Sequence, residues 1–352
     1  MQVFRGVHHP GIAPRCALTI GNFDGVHRGH QAMLALLRSE ALHRSLPSCV
    51  MTFEPHPRDW FAQRAGKPEL APPRIATLRD KLSELEHCGI DQAVVMRFDD
   101  RFAAQSPQAF IDDMLVAGLG AKYVLVGDDF RFGARRAGDY AMLDAAGAAA
   151  GFDVARMNSY EVRGLRVSSS AVREALRAGD MAQVAVLLGR PYSVSGHVIH
   201  GRKLGRSLGA SSAGQADGFR TLNLRFAHPR PAAHGIFAVR TYGLGEVGDE
   251  VATSAPVDGV ASLGHRPTVD DSGRVLLEVH CLDWPKRLGA EGGYGKLVRV
   301  ELLHKLRDEA RYDGIAALTA AIRQDAVEAR AFLAAHPAAY VATGRQTTRD
   351  RI

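Results

Sequence analysis

Short apolar runs alternate with stretches of helical periodicity along the first half of the chain. The runs place Val, Leu, Phe or Cys at successive positions, a pattern typical of strands buried on both faces of a sheet. Five runs of this kind cover residues 16–20, 48–53, 92–98, 122–127 and 152–157. Residues 78–87 and 107–119 instead carry apolar side chains at helical spacing. The alternation predicts an α/β domain over residues 1–185, built on a doubly wound, Rossmann-like parallel sheet.

One segment of this half, residues 62–73, follows neither pattern. It contains Pro, Gly and Lys and has no regular apolar repeat. We expect an exposed loop there, and a flap over a binding site is one role that such a loop could take.

The pattern changes after residue 189. Six short runs with strand character follow, separated by Gly-rich or polar turns. They cover residues 193–200, 221–226, 235–242, 257–263, 275–282 and 297–304. Helical periodicity returns only at about residue 314 and continues to residue 335. This predicts a second domain over residues 186–340, an antiparallel six-stranded β-barrel with a terminal helix, followed by a flexible polar tail at 341–352.

Length and composition are those of a protein with two ordinary cores. The chain has 352 residues, of which 46% are hydrophobic. No apolar stretch approaches the roughly 20 residues that span a bilayer, and the N-terminal residues lack the hydrophobic region of a signal peptide. Cys16, Cys49, Cys88 and Cys281 have no disulfide-framework spacing. We therefore expect a cytoplasmic protein with reduced, structural cysteines and no membrane partner.

The net charge of +6 needs a separate explanation. Lys and Arg are spread along the chain without a long basic block, and aromatic residues, at 7%, are not interleaved with them. This distribution favours small phosphorylated substrates over nucleic acid. Self-association is left open by the sequence.

The most informative segment is GNFDGVHRGH at residues 21–30, between a predicted strand and a predicted helix. That junction lies at the carboxyl edge of a parallel sheet, where a helix N-terminus offers free N–H groups to phosphate. Gly21, Gly25 and Gly29 allow close approach or positive φ. His27 and His30 can donate ring N–H groups to a phosphoryl oxygen. Phosphorus substitution requires chiefly alignment and charge stabilisation, so the segment points to nucleotidyl transfer.

Two other interpretations of the histidines are possible. Two His three residues apart could bind zinc, but the cysteines are isolated and no second ligand pair has suitable spacing. They could also be ordinary surface histidines on a Gly-rich turn. The glycine spacing and the strand–turn–helix context favour phosphate binding.

The HxGH signature is the mark of an adenylyltransferase superfamily, and its longer form GxFDGxHxGH resembles bacterial FAD synthetases. Three further segments agree in order, namely FEPHP at 53–57, GDDFRFG at 127–133 and VSSSAVR at 167–173. Class I aminoacyl-tRNA synthetases also carry HxGH. However, no KMSKS-like segment or evident anticodon-binding region follows.

The resemblance implies roles for individual residues in this half. His27 and His30 would be the catalytic pair. Contacts to ATP and its phosphates would come from Gly21, Phe23, Asp24, Gly25, Gly29, Ser168, Ser169 and Arg173. Flavin contacts would come from His56, Asp129, Phe130 and Arg131. Helix capping alone is the alternative role of the serines, and a plain charged loop is the alternative around Asp129.

The second half resembles bacterial riboflavin kinase. The resemblance is based on four segments, GHVIHGRKLGRSLG at 196–209, LGHRPTVDD, LEVHCLDW and the tripeptide YGK at 294–296. Adenylyltransferase followed by kinase is the order of the bifunctional prokaryotic riboflavin kinase/FAD synthetase family, and the likeness covers nearly the whole chain. It implies ATP as co-substrate, Mg²⁺, and FMN and FAD as products.

Kinase chemistry would depend on a small set of residues. Thr221 and Asn223 face the same side of a strand, so both can reach one Mg²⁺, the role that the resemblance supplies. Glu278 would be the base that accepts the proton of the riboflavin 5′-hydroxyl, or else a surface carboxylate on the outer barrel face. The resemblance also implies ATP contacts from Gly201 and Lys203.

The chain departs from the kinase pattern at one place. Where the family reads LGFPTAN, this sequence has about nine extra residues at 210–218, Arg220 replaces proline, and Ser262 stands where Asn is frequent. We expect phosphorylation of riboflavin to FMN and adenylylation of FMN to FAD with release of pyrophosphate. The alternatives are a FAD synthetase with an impaired kinase half and a non-catalytic flavin- or nucleotide-binding regulator.

Overall fold

The computed structural model describes residues 1–200, 221–225, 230–245, 255–264, 275–285, 288–289 and 293–338. Within the chain, two compact units form. The first comprises Met1–Val172 with Leu187–Gly189, and the second comprises Arg173–Val186 with the chain from Arg190. The domain boundary between residues 185 and 186 stays a prediction. Other predictions concern positions outside the described residues, namely Gly201, Lys203, residues 210–218, Arg220 and the tail at 341–352.

The first unit is built on a six-stranded sheet in which all pairings are parallel, in the order β1-β4-β3-β2-β5-β6. Its strands are β1 Gln2–Arg5, β2 Cys16–Ile20, β3 Ser48–Glu54, β4 Gln92–Arg97, β5 Ala121–Gly127 and β6 Asp153–Met157; a separate hairpin holds β7 Glu161–Val162 and β8 Leu165–Arg166. The predicted runs form strands with ends shifted by one residue at most. Both β1 and the hairpin escaped prediction, because strands of two to four residues carry too little apolar pattern.

Helices cover both faces of this sheet. They are α1 Arg28–His43, α2 Pro57–Arg64, α3 Leu78–His87, α4 Asp100–Ala103, α5 Pro107–Ala109 and α6 Tyr140–Ala150. The chain then forms α7 Ser169–Ala178 and α8 Met181–Leu188, most of whose residues belong to the second unit. Helix α5 continues as a π-helix over Phe110–Gly118, and 3₁₀ turns form at Pro68–Leu70 and Ala134–Arg136.

Alternate residues of the central strand β2 supply two separate cores. Leu18 packs with Leu115 of the π-helix and Leu143 of α6. Ala17 packs with Leu34 of α1 and Leu85 of α3 on the opposite face. The doubly wound sheet is therefore confirmed, with β2 at its buried centre.

The exposed loop predicted at residues 62–73 is partly wrong. Residues 63–70 are exposed. However, Ala62 is buried inside α2, and Arg74, just beyond the segment, is also buried. Helix α2 was missed because it is short and has no apolar stripe, and its start depends on Pro57 at the first turn.

The second unit is a closed antiparallel barrel in the order β10-β13-β12-β11-β14-β9, as predicted. Its strands are β9 Tyr192–Ile199, β10 Thr221–Arg225, β11 Gly235–Tyr242, β12 Val257–Leu263, β13 Leu276–Cys281 and β14 Leu297–Arg307, and its terminal helix is α9 Ile315–Ala335. Apolar residues at alternate positions are fully buried, as Leu277 and Val279 of β13 illustrate. Helix α9 packs its Ala329 and Leu333 against the barrel residue Ala238.

Charged side chains attach α9 to the barrel. Arg307 donates to both carboxylate oxygens of Asp325 at 2.7 Å, and Asp325 is buried. The buried Arg240 donates to the carbonyl of Leu333, at the helix C-terminus, where backbone acceptors lack helical partners. Arg330 pairs with Asp283 at 2.7 Å, but both side chains are more than half exposed.

Among the described residues, none of the helices has the length and apolar character that a membrane span requires.

These ion pairs should differ in their contribution to stability. We expect Asp325→Ala to lower the free energy of unfolding of the barrel by about 3 kcal/mol, because it leaves the partly buried Arg307 without its carboxylate. Asp283→Ala, the matched control, removes an exposed pair and should cost less than about 1 kcal/mol. Urea unfolding followed by Trp284 fluorescence, with Trp60 replaced by Phe, measures both. Equal losses would contradict the anchoring role of Asp325.

Candidate active site

Three predicted site segments meet at the carboxyl edge of the first sheet. The signature loop, which we define as residues 21–27, follows β2; His56 comes two residues after β3; and residues 128–131 follow β5. Strands β3 and β5 are the two neighbours of β2. Since carboxyl ends of parallel strands share one edge, the topology brings these segments together.

The signature loop has an unusual backbone that is held by a buried carboxylate. Phe23, Gly25 and Val26 all have positive φ, at 48°, 87° and 40°. The carboxylate of Asp24, only 1% exposed, accepts the backbone N–H groups of Ile75 and Ala76, each at 3.2 Å from Oδ1. Asp24 thus ties the loop to the segment before α3. Its predicted contact with ATP stays a prediction.

The first signature histidine begins helix α1. His27 is buried, and its Nδ1 accepts the backbone N–H of His30 at 3.3 Å, which caps the helix. Because Nδ1 accepts, the proton of the neutral ring lies on Nε2. The rings of His27 and His30 stack at a centroid distance of 3.6 Å and an interplanar angle of 15°. The histidines are therefore held as one unit.

The second signature histidine is neutral at physiological pH. Burial lowers the pKa of His30 well below 6.5, and electrostatic interactions with His27 and Lys81 lower it further. Its Nδ1 is a buried atom without a hydrogen-bond partner among the described residues, while Phe23 packs against the ring at 4.9 Å. A buried ring nitrogen without a protein partner fits a site that receives a polar ligand.

The serines of VSSSAVR have partners within the first unit. Ser168 Oγ accepts the backbone N–H of Ala171 at 3.2 Å, so it caps the start of α7. Ser169 Oγ donates to the carbonyl of Asp24 at 3.0 Å. Capping therefore operates at Ser168, and Ser169 braces the signature loop. Arg173 lies one turn further along α7.

The residues predicted to contact flavin follow β3 and β5, and one of them, Phe130, belongs to an aromatic row. His56 is buried and accepts the backbone N–H of Arg58 on Nδ1 at 3.1 Å, which caps α2. Asp129 is exposed, Phe130 stacks on Phe132 at 5.5 Å, and Arg131 pairs with Asp139 at 3.2 Å.

Further rings extend this row from Phe132 towards β3. Successive centroids from Phe132 to Phe110, Phe102 and Phe53 lie 5.5, 6.1 and 5.4 Å apart. Phe53 and Phe102 are only partly buried. The row joins FEPHP to GDDFRFG, and its partly buried rings, Phe130, Phe102 and Phe53, are those that a flat aromatic ligand could contact.

Sequence reasoning missed a buried lysine beside the signature loop. Lys81 of α3 is 1% exposed and donates from Nζ to Thr52 Oγ1 at 3.2 Å. Burial lowers its pKa to about 8, helped by Arg74 and opposed by nearby carboxylates. The available signal was its position on the apolar stripe of α3, four residues before the buried Leu85.

A buried arginine accompanies this lysine. Arg74, only 3% exposed, forms ion pairs with Asp59 at 3.0 Å and with Glu54 at 3.3 Å. These carboxylates and Asp24 act on Lys81 in the opposite direction to Arg74. The group therefore contains two buried cations and three carboxylates, of which Asp24 is buried and Glu54 and Asp59 are partly exposed.

In the second unit, the predicted kinase residues form one group. Asn223 of β10 lies directly opposite Glu278 of β13, and Thr221 lies two residues before Asn223 on the same strand face. Directly opposed residues have Cβ atoms about 5 Å apart. Since Leu277 and Val279 fill the barrel interior, Glu278 faces away from it.

Neighbouring positions continue this row. Ser262 lies opposite Glu278 on β12, and its hydroxyl donates to Glu309 at 3.3 Å. Within the described ranges, no three His, Cys, Asp or Glu side chains come together as a metal centre. The Thr221 hydroxyl and Asn223 amide oxygen fit Mg²⁺ as neutral oxygen ligands that leave positions for water and phosphate.

Comparison with known proteins covers both units. Residues 9–171 match the family model of FAD synthetase, and residues 188–333 match that of riboflavin kinase. The bifunctional riboflavin kinase/FMN adenylyltransferase of Escherichia coli K12 is 43% identical over 334 residues, covering 94% of this chain and 98% of the relative. The Haemophilus influenzae protein of the same description is 40% identical, covering 94% and 99%. That of Pseudomonas fluorescens is 41% identical, covering 95% and 98%.

One solved structure is similar over nearly the whole chain. A crystal structure described as a macrolide-efflux protein from Streptococcus pneumoniae has a TM-score of 0.71 and 24% identity, covering 94% of this chain and 99% of its own. At that identity the likeness shows the fold alone.

The backbone of the signature loop can be tested with two matched glycines. A Cβ at Gly25 would lie 2.8 Å from Ile75 Cγ2, whereas Gly164, with φ of 75°, has open space around it. We expect Gly164→Ala to cost about 1 kcal/mol for the left-handed backbone alone, and Gly25→Ala to cost about 1–3 kcal/mol more because of the overlap. Urea unfolding of the first unit, followed by Trp60 fluorescence with Trp284 replaced by Phe, provides both values. Equal costs would contradict the close approach of Ile75.

Proposed function

Given that the chain belongs to the family of bifunctional riboflavin kinases/FMN adenylyltransferases, we propose that each unit carries one activity and that the residues assembled above perform it. The protein phosphorylates riboflavin to FMN with ATP and adenylylates FMN to FAD with a second ATP. The stacked pair His27 and His30 at the start of α1 is the observation that supports the adenylylation site.

In adenylyl transfer, a phosphate oxygen of FMN attacks the α-phosphorus of ATP. The bond from the α-phosphorus to the bridging oxygen breaks, and pyrophosphate leaves. No side chain needs to act as nucleophile, since the reaction requires alignment and stabilisation of charge on the equatorial oxygens. His27 supplies a donor at Nε2, because Nδ1 accepts the N–H of His30. His30 supplies a second, neutral imidazole, and the N-terminus of α1 adds its partial positive charge.

The remaining predicted residues position the two substrates. We assign Gly21, Gly25 and Gly29 to close approach of the ATP phosphates, and Ser169 with Arg173 to the opposite side of the triphosphate. The flavin ring lies along the partly exposed Phe130, with His56, Asp129 and Arg131 around it.

In the kinase reaction, the riboflavin 5′-hydroxyl attacks the γ-phosphorus of ATP and ADP leaves. Glu278 accepts the hydroxyl proton, and its position opposite Asn223 supports that role. Thr221 and Asn223 would hold Mg²⁺ together with ATP phosphates. When bound, Mg²⁺ neutralises charge on the transferred group. Gly201 and Lys203 would contact ATP.

The site chemistry also limits the partners that we propose. Small phosphorylated substrates account for the net charge of +6. We infer a cytoplasmic enzyme without nucleic-acid or membrane partners, and self-association stays open.

The adenylylation site is tested by His30→Ala. We expect FAD formation from FMN to fall by roughly 10²–10³-fold, because one preorganised donor to the phosphoryl group is lost. FMN formation from riboflavin should be unchanged. His43→Ala, on the exposed end of the same helix, is the control and should leave both rates unchanged. Chromatography of flavin products from purified protein with ATP and Mg²⁺ gives both rates.

The kinase site is tested by Glu278→Gln, which keeps the size of the side chain and removes its basicity. We expect FMN formation to fall by roughly 10²–10⁴-fold, while FAD formation from FMN is retained. Glu309→Gln, a neighbouring carboxylate with no proposed role, is the control. If His30→Ala and Glu278→Gln both retain both activities, the site assignment is wrong. If the unmodified protein gives no product, the regulator alternative replaces this proposal.

A further inference from the structure

A buried lysine lies where a packed core would normally have an apolar side chain. Lys81 occupies a position on the buried stripe of α3 and is 1% exposed. A buried ammonium group is costly, and replacing it with an apolar residue of similar volume often stabilises a protein. Buried groups with perturbed ionisation concentrate at functional sites. Lys81 therefore requires an explanation beyond packing.

Its hydrogen bonds lead to the signature loop. Lys81 Nζ donates to Thr52 Oγ1 at 3.2 Å, and Thr52 Oγ1 donates to the carbonyl oxygen of Asn22 at 3.3 Å. Two residues further along the loop, Asp24 accepts N–H groups of Ile75 and Ala76. Helix α3 and the segment before it thus hold the loop at two points, on either side of the left-handed Phe23.

The charges around Lys81 come from four elements. Asp24 lies in the signature loop, Glu54 at the end of β3, Asp59 in α2, and Arg74 in the segment before α3. The two groups whose electrostatic interactions lower the pKa of His30 are His27 and Lys81 itself. Both disfavour a second positive charge on the His30 ring.

We propose that Lys81 is a positioning residue for adenylyl transfer, which holds the signature loop through Thr52 and brings a positive charge to the buried side of that loop. This rests on the proposed role of His30. A protonated His30 would form an ion pair with the triphosphate before the reaction as well as during it. Uniform binding of that kind lowers KM without raising kcat. A neutral ring donates a hydrogen bond without this ground-state interaction.

Three variants separate the roles of charge and hydrogen bonding. Lys81→Met removes both, Lys81→Arg keeps the charge at all accessible pH, and Thr52→Val removes the bridge to Asn22 while keeping Lys81. Lys122→Met, a half-buried lysine on β5, is the control. The readouts are kcat and KM for FAD formation between pH 5 and 9, riboflavin phosphorylation as an internal control, and the unfolding midpoint of the first unit.

We expect Lys81→Met to lower kcat at pH 7 by roughly 10-fold or more with KM for ATP unchanged or lower. The decrease of kcat at low pH, which we call the low-pH limb, should move to higher pH in this variant, towards the ordinary histidine pKa of 6.5. The reason is that the charge of Lys81, which lowers the pKa of His30, is gone. In the unmodified protein, kcat should stay level as pH rises through about 8, because His30 is already neutral there and the neutral amine of Lys81 still donates to Thr52. Lys81→Arg, which keeps the charge, should leave the low-pH limb where it is. Thr52→Val should lower kcat without moving the low-pH limb.

Stability distinguishes this role from a structural one. The folded-state pKa of Lys81, about 8, is below its usual 10.5, so the protonated form opposes folding below about pH 8. Lys81→Met should therefore keep or raise the unfolding midpoint at pH 7. A lower midpoint with an unmoved low-pH limb overturns the proposal.

The failures of the two proposals are also distinguishable. Nuclear magnetic resonance titration of the His30 ring, assigned with His30→Ala, follows its pKa without turnover. If that pKa rises in Lys81→Met but His30→Ala retains FAD synthesis, the proposed function of His30 fails. If His30→Ala abolishes FAD synthesis but the pKa of His30 does not rise in Lys81→Met, the role of Lys81 fails.

Discussion

The backbone of the signature loop depends on one buried carboxylate, that of Asp24, which accepts hydrogen bonds from two backbone N–H groups. Asp24 accepts the backbone N–H groups of Ile75 and Ala76. Three residues of the loop around it have a positive φ, and two of them are not glycine. Each non-glycine residue in that conformation costs about 1–2 kcal/mol. Such a backbone persists only where surrounding contacts over-determine it. The full burial of Phe23 and the contact of Ser169 with the Asp24 carbonyl supply that determination.

The strained loop ends in a helix that one of its own histidines caps. An N-cap is usually Ser, Thr, Asp or Asn, but here the cap of α1 is His27. The capping bond fixes the ring of His27, and the helix then places His30 one turn away in stacking contact. Secondary structure and site geometry therefore depend on the same hydrogen bond. Lys81 and Arg74 are buried near this loop, and burial lowers the pKa of Lys81.

In the second unit, the candidate site residues are brought together by the alternation of side chains along neighbouring strands, without a strained loop. Closure of the barrel leaves no free sheet edge, and each strand sends alternate residues inside. The outward positions serve two purposes. One part of the outer face carries Ala238 and packs beneath α9, whereas another carries the row of Asn223, Glu278 and Ser262. The ion pair of Arg307 with Asp325 keeps the helix on its own part of that face.

The apolar pattern of the sequence predicted the eleven strands of five or more residues and the order of architectures, because buried strands of that length carry a clear period. Strand β1, the β7–β8 hairpin and helix α2 were missed, since their few residues depend on tertiary pairing and on a proline start. The chemistry of GNFDGVHRGH alone predicted a site at the end of β2. The partner of Asp24, the neutral state of His30 and the burial of Lys81 were not predictable. Each depends on residues some 30–50 positions away along the chain, and only packing of α3 against the sheet brings them into contact. Local patterns and motifs were therefore enough to predict which chemical groups are present and on which strands, whereas their ionisation and orientation depend on burial and on contacts between distant segments, which arise only in the folded chain.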